Sequence, residues 1–146
     1  MDKKIENFIQ AKRLAVVGVS RSDKKFGSAI YTELKARGFE VYGVNPNMQQ
    51  INGDKCYANL AELTGKVDGV VICLPPQKSV QAVRDAAAAG IRSVWLQQGA
   101  QSIETGKVAR ELGIDPVEGK CILMYAGEVK SFHGFHKFVA KLFGQY

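Results

Sequence analysis

Short apolar, β-branched runs alternate along this chain with longer segments of helical period. The runs "RLAVVGV", "FEVYGVN", "DGVVICLP", "RSVWLQ" and "KCILMY", between Arg13 and Tyr125, have the length of strands buried on both faces. Between them, "KFGSAIYTELKARG" sets Ala29, Ile30 and Leu34 at helical spacing and stops at Gly38. "QKSVQAVRDAAAAG" does the same with Val80, Val83 and Ala87 and stops at Gly90, and glycine is the residue that most often closes a helix. "QSIETGKVARELG" predicts a third such helix starting near Gln101 or Ser102, and "NLAELTG" a partial one. A helix over "KKIENFIQAKR" precedes the first strand, and "KSFHGFHKFVAKLFG" is amphipathic, with Phe135, Phe138, Val139 and Leu142 on one side, so both are expected to pack on the core.

Strand and helix in strict alternation imply right-handed crossovers. The expected fold is a doubly wound α/β domain, a mainly parallel five-stranded Rossmann-like sheet with helices on both faces. The 146 residues suffice for one such domain, residues 1–146, and show no linker or repeat. At 46% hydrophobic and 23% charged residues the composition is that of an ordinary globular protein. No apolar run approaches the roughly 20 residues that cross a bilayer, so no membrane association is expected. "MDKKIENFIQAKR" lacks the apolar core of a secretory signal, which predicts a cytoplasmic location. Three widely spaced cysteines, Cys56, Cys73 and Cys121, form no CxxC pair, which argues against a disulfide framework and against zinc. The net charge of +6 favours an anionic partner without saying which.

In a sheet of this kind, ligands bind beyond the carboxyl ends of the strands where the winding reverses. Four loops occupy those positions: "GVSRSDKKFG", "VNPNMQ", "CLPPQKS" and "LQQGAQS". In the first, Gly18 removes a side chain where the chain turns and Ser20 offers a hydroxyl and an amide. Lys24 and Lys25 add positive charge, and Phe26 and Gly27 open the following helix. A helix start there presents unpaired amides to a phosphate; the same residues also suit a plain strand-to-helix turn with solvated lysines. The second loop discriminates between ligands. Nicotinamide-binding domains usually place Asp or Glu at the end of the second strand for the ribose hydroxyls, whereas here that place reads Val44-Asn45-Pro46, and the interval from Gly18 to Gly27 departs from GxGxxG. An NAD(P)-binding oxidoreductase or redox-sensing regulator therefore becomes the alternative rather than the first choice; FAD and NADP stay open.

The motifs "VGVSRSDKKFG", "VYGVNP", "KCYANLAEL", "VDGVVICLPP", "VWLQQGA" and the "KC" at Cys121, in this order over almost the whole chain, resemble the small stand-alone coenzyme A-binding proteins. These are similar to the CoA-binding domain of the succinyl-CoA ligase alpha subunit and of ADP-forming acyl-CoA synthetases. The resemblance implies that Ser20, Arg21, Ser22, Lys24 and Lys25 contact the phosphates of coenzyme A. It implies further that Asn45 and Pro46 border the adenine and ribose, that Leu74 and Pro75 wall the pocket, and that Leu96, Gln97, Gln98 and Gly99 lie along the pantetheine. One departure stands out: related proteins commonly carry a lysine after the Asn-Pro step, where this chain has Asn47, Met48 and Gln49. A charge for the ribose 3′-phosphate would then have to come from elsewhere, with Lys55 or Lys24 as candidates.

Catalytic machinery is not evident. Acyl-CoA ligases of this type also need a phosphohistidine loop and an ATP-grasp partner, neither matched here. His133 and His136 share a helix face without a third metal ligand. Cys121 follows a lysine that could lower its pKa, but a buried strand thiol is the better reading, as for Cys73. Cys56, beside Lys55 and Tyr57 in a loop, is expected to be the most exposed of the three. Glu118 and Glu128 have no partner at acid–base spacing. The segment with Lys130, Phe132, His133, Phe135 and Lys137 interleaves basic and aromatic residues, yet its phenylalanines fall at core spacing. A docked helix or a homodimer or protein-partner interface is therefore expected in preference to nucleic-acid binding. The sequence points to a protein that binds coenzyme A or an acyl-CoA, with a non-catalytic binding or regulatory role.

Overall fold

The computed structural model describes residues 3–20 and 26–126. Helix α1 (Lys3–Ile9) leads into β1 (Arg13–Val17), α2 (Phe26–Ala36) and β2 (Glu40–Val44). A hairpin of β3 (Gln50–Ile51) and β4 (Asp54–Tyr57) and a 3-10 turn (Leu60–Leu63) follow. The chain continues through β5 (Gly69–Ile72), α3 (Pro76–Ala88), β6 (Val94–Gln97), α4 (Ile103–Glu111), β7 (Val117–Lys120) and a second 3-10 turn (Ile122–Met124). The strands form one sheet in the order β3-β4-β2-β1-β5-β6-β7. Its parallel register sets Val17 opposite both Val44 and Ile72. Only β3 and β4 pair antiparallel among the described residues.

The α/β doubly wound arrangement agrees with expectation, but the sheet has seven strands rather than five. Two local causes account for the difference. Asn52 and Gly53, with φ of 50° and 84°, close a two-residue hairpin of the kind Asn-Gly favours, adding two short strands after β2. At the far edge, the apolar run expected as the last strand is instead the turn after Cys121, while the polar stretch Val-Glu-Gly-Lys before it pairs with β6. Main-chain pairing selects the edge strand there, and Ile122 and Leu123 are fully buried without belonging to it.

The pleat divides the core in two. Leu14, Val16, Val71 and Trp95 face α1 and α2, packing with Phe8, Ile30 and Leu34. Ala15, Val70, Ile72 and Leu96 face the opposite layer with Val83, Ala86 and Ala109. Each fully buried aliphatic side chain contributes about 1.5–3 kcal/mol. On α3 the buried face is Ser79, Ala82, Val83 and Ala86; Val80 and Ala87, expected inside, lie at its margin. Trp95 is enclosed by Phe8, edge-on at 5.3 Å, and Tyr125 at 5.9 Å, and its indole N–H donates to the Lys120 carbonyl at 2.9 Å. Helix α2 ties down both ends of the chain order around it. Its Tyr31 hydroxyl donates to Asp54 at 2.8 Å and Lys35 pairs with the same carboxylate, fixing the hairpin. Arg37 donates to the carbonyls of Leu123 and Ala126 at 2.8 and 2.7 Å, fixing the final turn. The amphipathic C-terminal segment, with His133, His136 and Glu128, lies outside the described residues.

Candidate ligand cleft

The end of β1 is built by close backbone approach. Gly18 has φ of 110°, and a Cβ there would overlap the carbonyl oxygen of Cys73, just beyond β5. A Cβ on Gly27, in the first turn of α2, would likewise overlap the carbonyl of Gly18. The two bare positions let strand ends and helix start converge where the order of the sheet reverses. Ser28 then fixes Ser20, which follows Gly18 by two residues. Its hydroxyl, 1% exposed, accepts from the Ser20 amide at 2.8 Å and donates to the Ser20 carbonyl at 2.7 Å. One side chain thus satisfies both main-chain polar groups of the residue that opens the expected phosphate loop.

Beyond these strand ends lies a cleft of about 480 Å³, within the range of small-ligand sites. Val17, Gly18, Val44 and Leu74 form its floor. One wall is Asn45, Pro46 and Asn47 together with Ala58, Asn59 and Leu60; the other is a face of α3 carrying Lys78, Gln81, Ala82 and Asp85. The Asn45 amide is a structural tie: its Nδ2 donates to the Val19 carbonyl at 2.7 Å and its Oδ1 accepts from the Asn47 amide at 2.8 Å. Its backbone N–H donates to the Tyr57 carbonyl at 2.9 Å, so this one residue links the loops after β1 and β2 to the end of β4. Asn59 caps the neighbouring 3-10 turn, accepting from Glu62 N–H at 3.2 Å while the Glu62 carboxylate accepts from Ala58 N–H at 2.9 Å. On the facing helix, Gln81 Nε2 donates to the Asp85 carboxylate at 2.9 Å.

Of the residues singled out in the sequence, Gly18, Asn45, Pro46 and Leu74 line this cleft. Ser20 and Gly27 shape the adjoining loop, and Pro75 is the exposed residue that caps α3. Phe26 turns partly into the core beside α2. Arg21, Ser22, Lys24 and Lys25 lie outside the described residues. The fourth loop stands apart. Leu96 is fully buried, and Gln97 shares the side of the pleat that Trp95 occupies. There its Nε2 donates to Cys121 Sγ at 2.9 Å and its Oε1 accepts from Ile122 N–H at 3.0 Å, so neither Leu96 nor Gln97 offers surface to a ligand. Gln98 and Gly99 are exposed in the turn after β6 without lining the cleft. Met48, at the departure from the related pattern, is buried in the core beside Ile51 and Cys56.

The cysteines correct two expectations, for Cys73 and Cys121 follow β5 and β7 rather than lying in them, Cys73 half-buried and Cys121 buried. Cys56 is not the exposed thiol of a loop but a buried residue of β4, 5% exposed. Burial pushes its thiol pKa up, as it does for Cys73 and Cys121, and the lysine beside Cys121 does not reverse this. Among the described residues no group of His, Cys, Asp and Glu converges as a metal site requires. No helix among them is long and apolar enough to cross a membrane.

Sequence reasoning missed Ser28, Asn59 and the α3 wall. The signal for that wall was present: Lys78, Gln81 and Asp85 repeat at helical spacing on the helix that follows the third loop.

The profile of the family described as "CoA binding domain" matches residues 12–126. Among curated proteins, the chain is 30% identical over 91 residues to the alpha subunit of acetate–CoA ligase [ADP-forming] II from Pyrococcus furiosus, covering 62% of this chain but 20% of that protein. Among solved structures, a conserved hypothetical protein from Pyrococcus furiosus is 38% identical with a TM-score of 0.73, over 76% of this chain and 96% of that one. The dinucleotide-forming acetyl-coenzyme A synthetase 1 of Ca. Korarchaeum cryptofilum is 30% identical with a TM-score of 0.64, over 72% of this chain and 25% of that one.

Proposed function

We propose, from the premise that the chain belongs to the CoA binding domain family, that it holds coenzyme A or an acyl-CoA at the cleft beyond β1, β2 and β5. The observation that carries this is the convergence of Gly18, Asn45, Pro46 and Leu74 on one cleft, beside a loop whose first residue is fixed by Ser28. An apolar floor of Val17, Val44 and Leu74 suits the faces of an adenine, and a rim of asparagines suits a ribose. The diphosphate would lie over the loop from Ser20 to Lys25 and the start of α2, where amides and lysines favour negative charge. NAD is disfavoured because the β2 end offers the Asn45 amide, already committed to Val19 and Asn47, in place of a carboxylate.

The protein acts as a binding or regulatory component rather than a catalyst of its own. The ionisable groups among the described residues of the cleft, Lys78 and Asp85, are seven positions apart on α3, about 10 Å along its axis, too far to share a proton at one reacting atom. The chain spans a fifth of the Pyrococcus ligase subunit it matches, so the ligase reaction of such proteins is not transferred to it. Calorimetric titration with coenzyme A, acetyl-CoA, NAD, NADH and ATP tests the assignment. Saturable binding of coenzyme A is expected; NADH binding without a response to coenzyme A would overturn it.

A further inference from the structure

We infer that Lys78, on the α3 wall of the cleft, takes the ribose 3′-phosphate of the bound nucleotide and so sets the preference for coenzyme A over dephospho-CoA. The inference rests on the coenzyme A assignment above and adds to it a recognition residue from a different element. A phosphate on the ribose needs a cation beside the adenosine end of the cleft, and the loop after β2 does not provide one. Asn47 is neutral, and Met48 points into the core with Ile51 and Cys56. Lys55 lies with its ammonium over the Tyr57 ring, 4.8 Å from the centroid, and does not line the cleft.

Lys78 is the cation among the described residues that does line it, across from Asn45, Pro46 and Asn47. Its side chain is exposed, and no described residue pairs with its ammonium. The main chain around it is poorly suited to hold an anion alone. Pro75 and Pro76 supply no N–H, and the amides of Lys78 and Ser79 both donate to the Pro75 carbonyl at 2.9 and 3.2 Å. The side-chain ammonium is therefore the cationic donor this wall presents to a phosphate. Asp85, two turns further on, is held by Gln81 and leaves the Lys78 end of the wall as the electropositive one.

The test compares coenzyme A with dephospho-CoA on the wild-type chain, Lys78→Met and Lys78→Arg by calorimetry, with circular dichroism confirming that each variant is folded. The wild type is expected to prefer coenzyme A by about tenfold, the worth of one charge-assisted contact. Lys78→Met should bring that preference close to one while leaving dephospho-CoA affinity unchanged, and Lys78→Arg should restore it. Equal weakening of both ligands in Lys78→Met, or an undiminished preference, would overturn the inference while leaving the coenzyme A assignment standing, as would a wild type that binds both ligands equally. A wild type that binds neither would overturn both.

Discussion

Replacing Ser28 by alanine removes one oxygen from a site that is 1% exposed, and with it two hydrogen bonds of 2.8 and 2.7 Å to the backbone of Ser20. The loss in volume is small, so the cost lies in the polar groups left behind. Each such bond has a net worth of about 0.5–1.5 kcal/mol. Ser20 is itself only half-buried, so water can reach part of what is uncovered. Together these give a destabilisation of about 1.5 kcal/mol. With a urea m-value of about 2 kcal/mol/M for a domain of this size, the unfolding midpoint should fall by about 0.7 M. Ser20 opens the stretch on which the proposed diphosphate rests, so its position must be restored on binding and affinity for coenzyme A should fall by up to about tenfold. Urea unfolding and calorimetry on the same preparation measure both. A Ser28→Ala protein with unchanged midpoint and affinity would refute the idea that one hydroxyl holds Ser20 in place.

Two further outcomes concern ionisation. Lys35 and, after it, Tyr31 hold the Asp54 carboxyl below its ordinary pKa of 3.8, so its contribution is present above that value and lost as pH falls through the lower native one. Asp54→Asn should therefore flatten the acid limb of the stability profile below about pH 4; an unaltered limb would show that the hairpin tie is energetically silent. Burial raises all three thiols above their ordinary 9.0, so stability is full below that pH and declines as pH rises beyond it. At pH 8 a thiol reagent should label the native protein far more slowly than the urea-unfolded chain at Cys56, Cys73 and Cys121, and one rapidly labelled native cysteine would contradict this.

The parts of the fold governed by periodicity were legible in the residues. The four central strands and α2, α3 and α4 fall where apolar spacing and the glycines at 38 and 90 set them. The positions of Gly18 after β1 and Asn45 after β2 were legible because each follows an apolar strand-length run, and both line the cleft at the strand ends. What escaped was carried by features outside the hydrophobic pattern. The edge strand Val117–Lys120 is selected by backbone pairing with β6 although its sequence is polar. Gln97 reads as a loop residue by composition, yet counting by twos from Trp95 puts it inside, on Cys121. Ser28 has no signature beyond being small and polar at the start of a helix, since its two short bonds are to the main chain of Ser20.

The rims of the sheet have a consequence for colloidal behaviour. On one side the described residues end in β3, two residues long and reversed in direction; on the other they end in β7, where Glu118 is bound to Arg110 at 2.7 Å and Lys120 is exposed. Neither margin offers the long, flat, apolar ladder that recruits strands from other molecules into fibrils, and charge stands guard on the second. The hydrophobic strands that would aggregate if freed, β1, β5 and β6, occupy the interior of the ladder with neighbours on both sides. Loss of solubility on heating should therefore track global unfolding, because these strands are paired on both sides among the described residues.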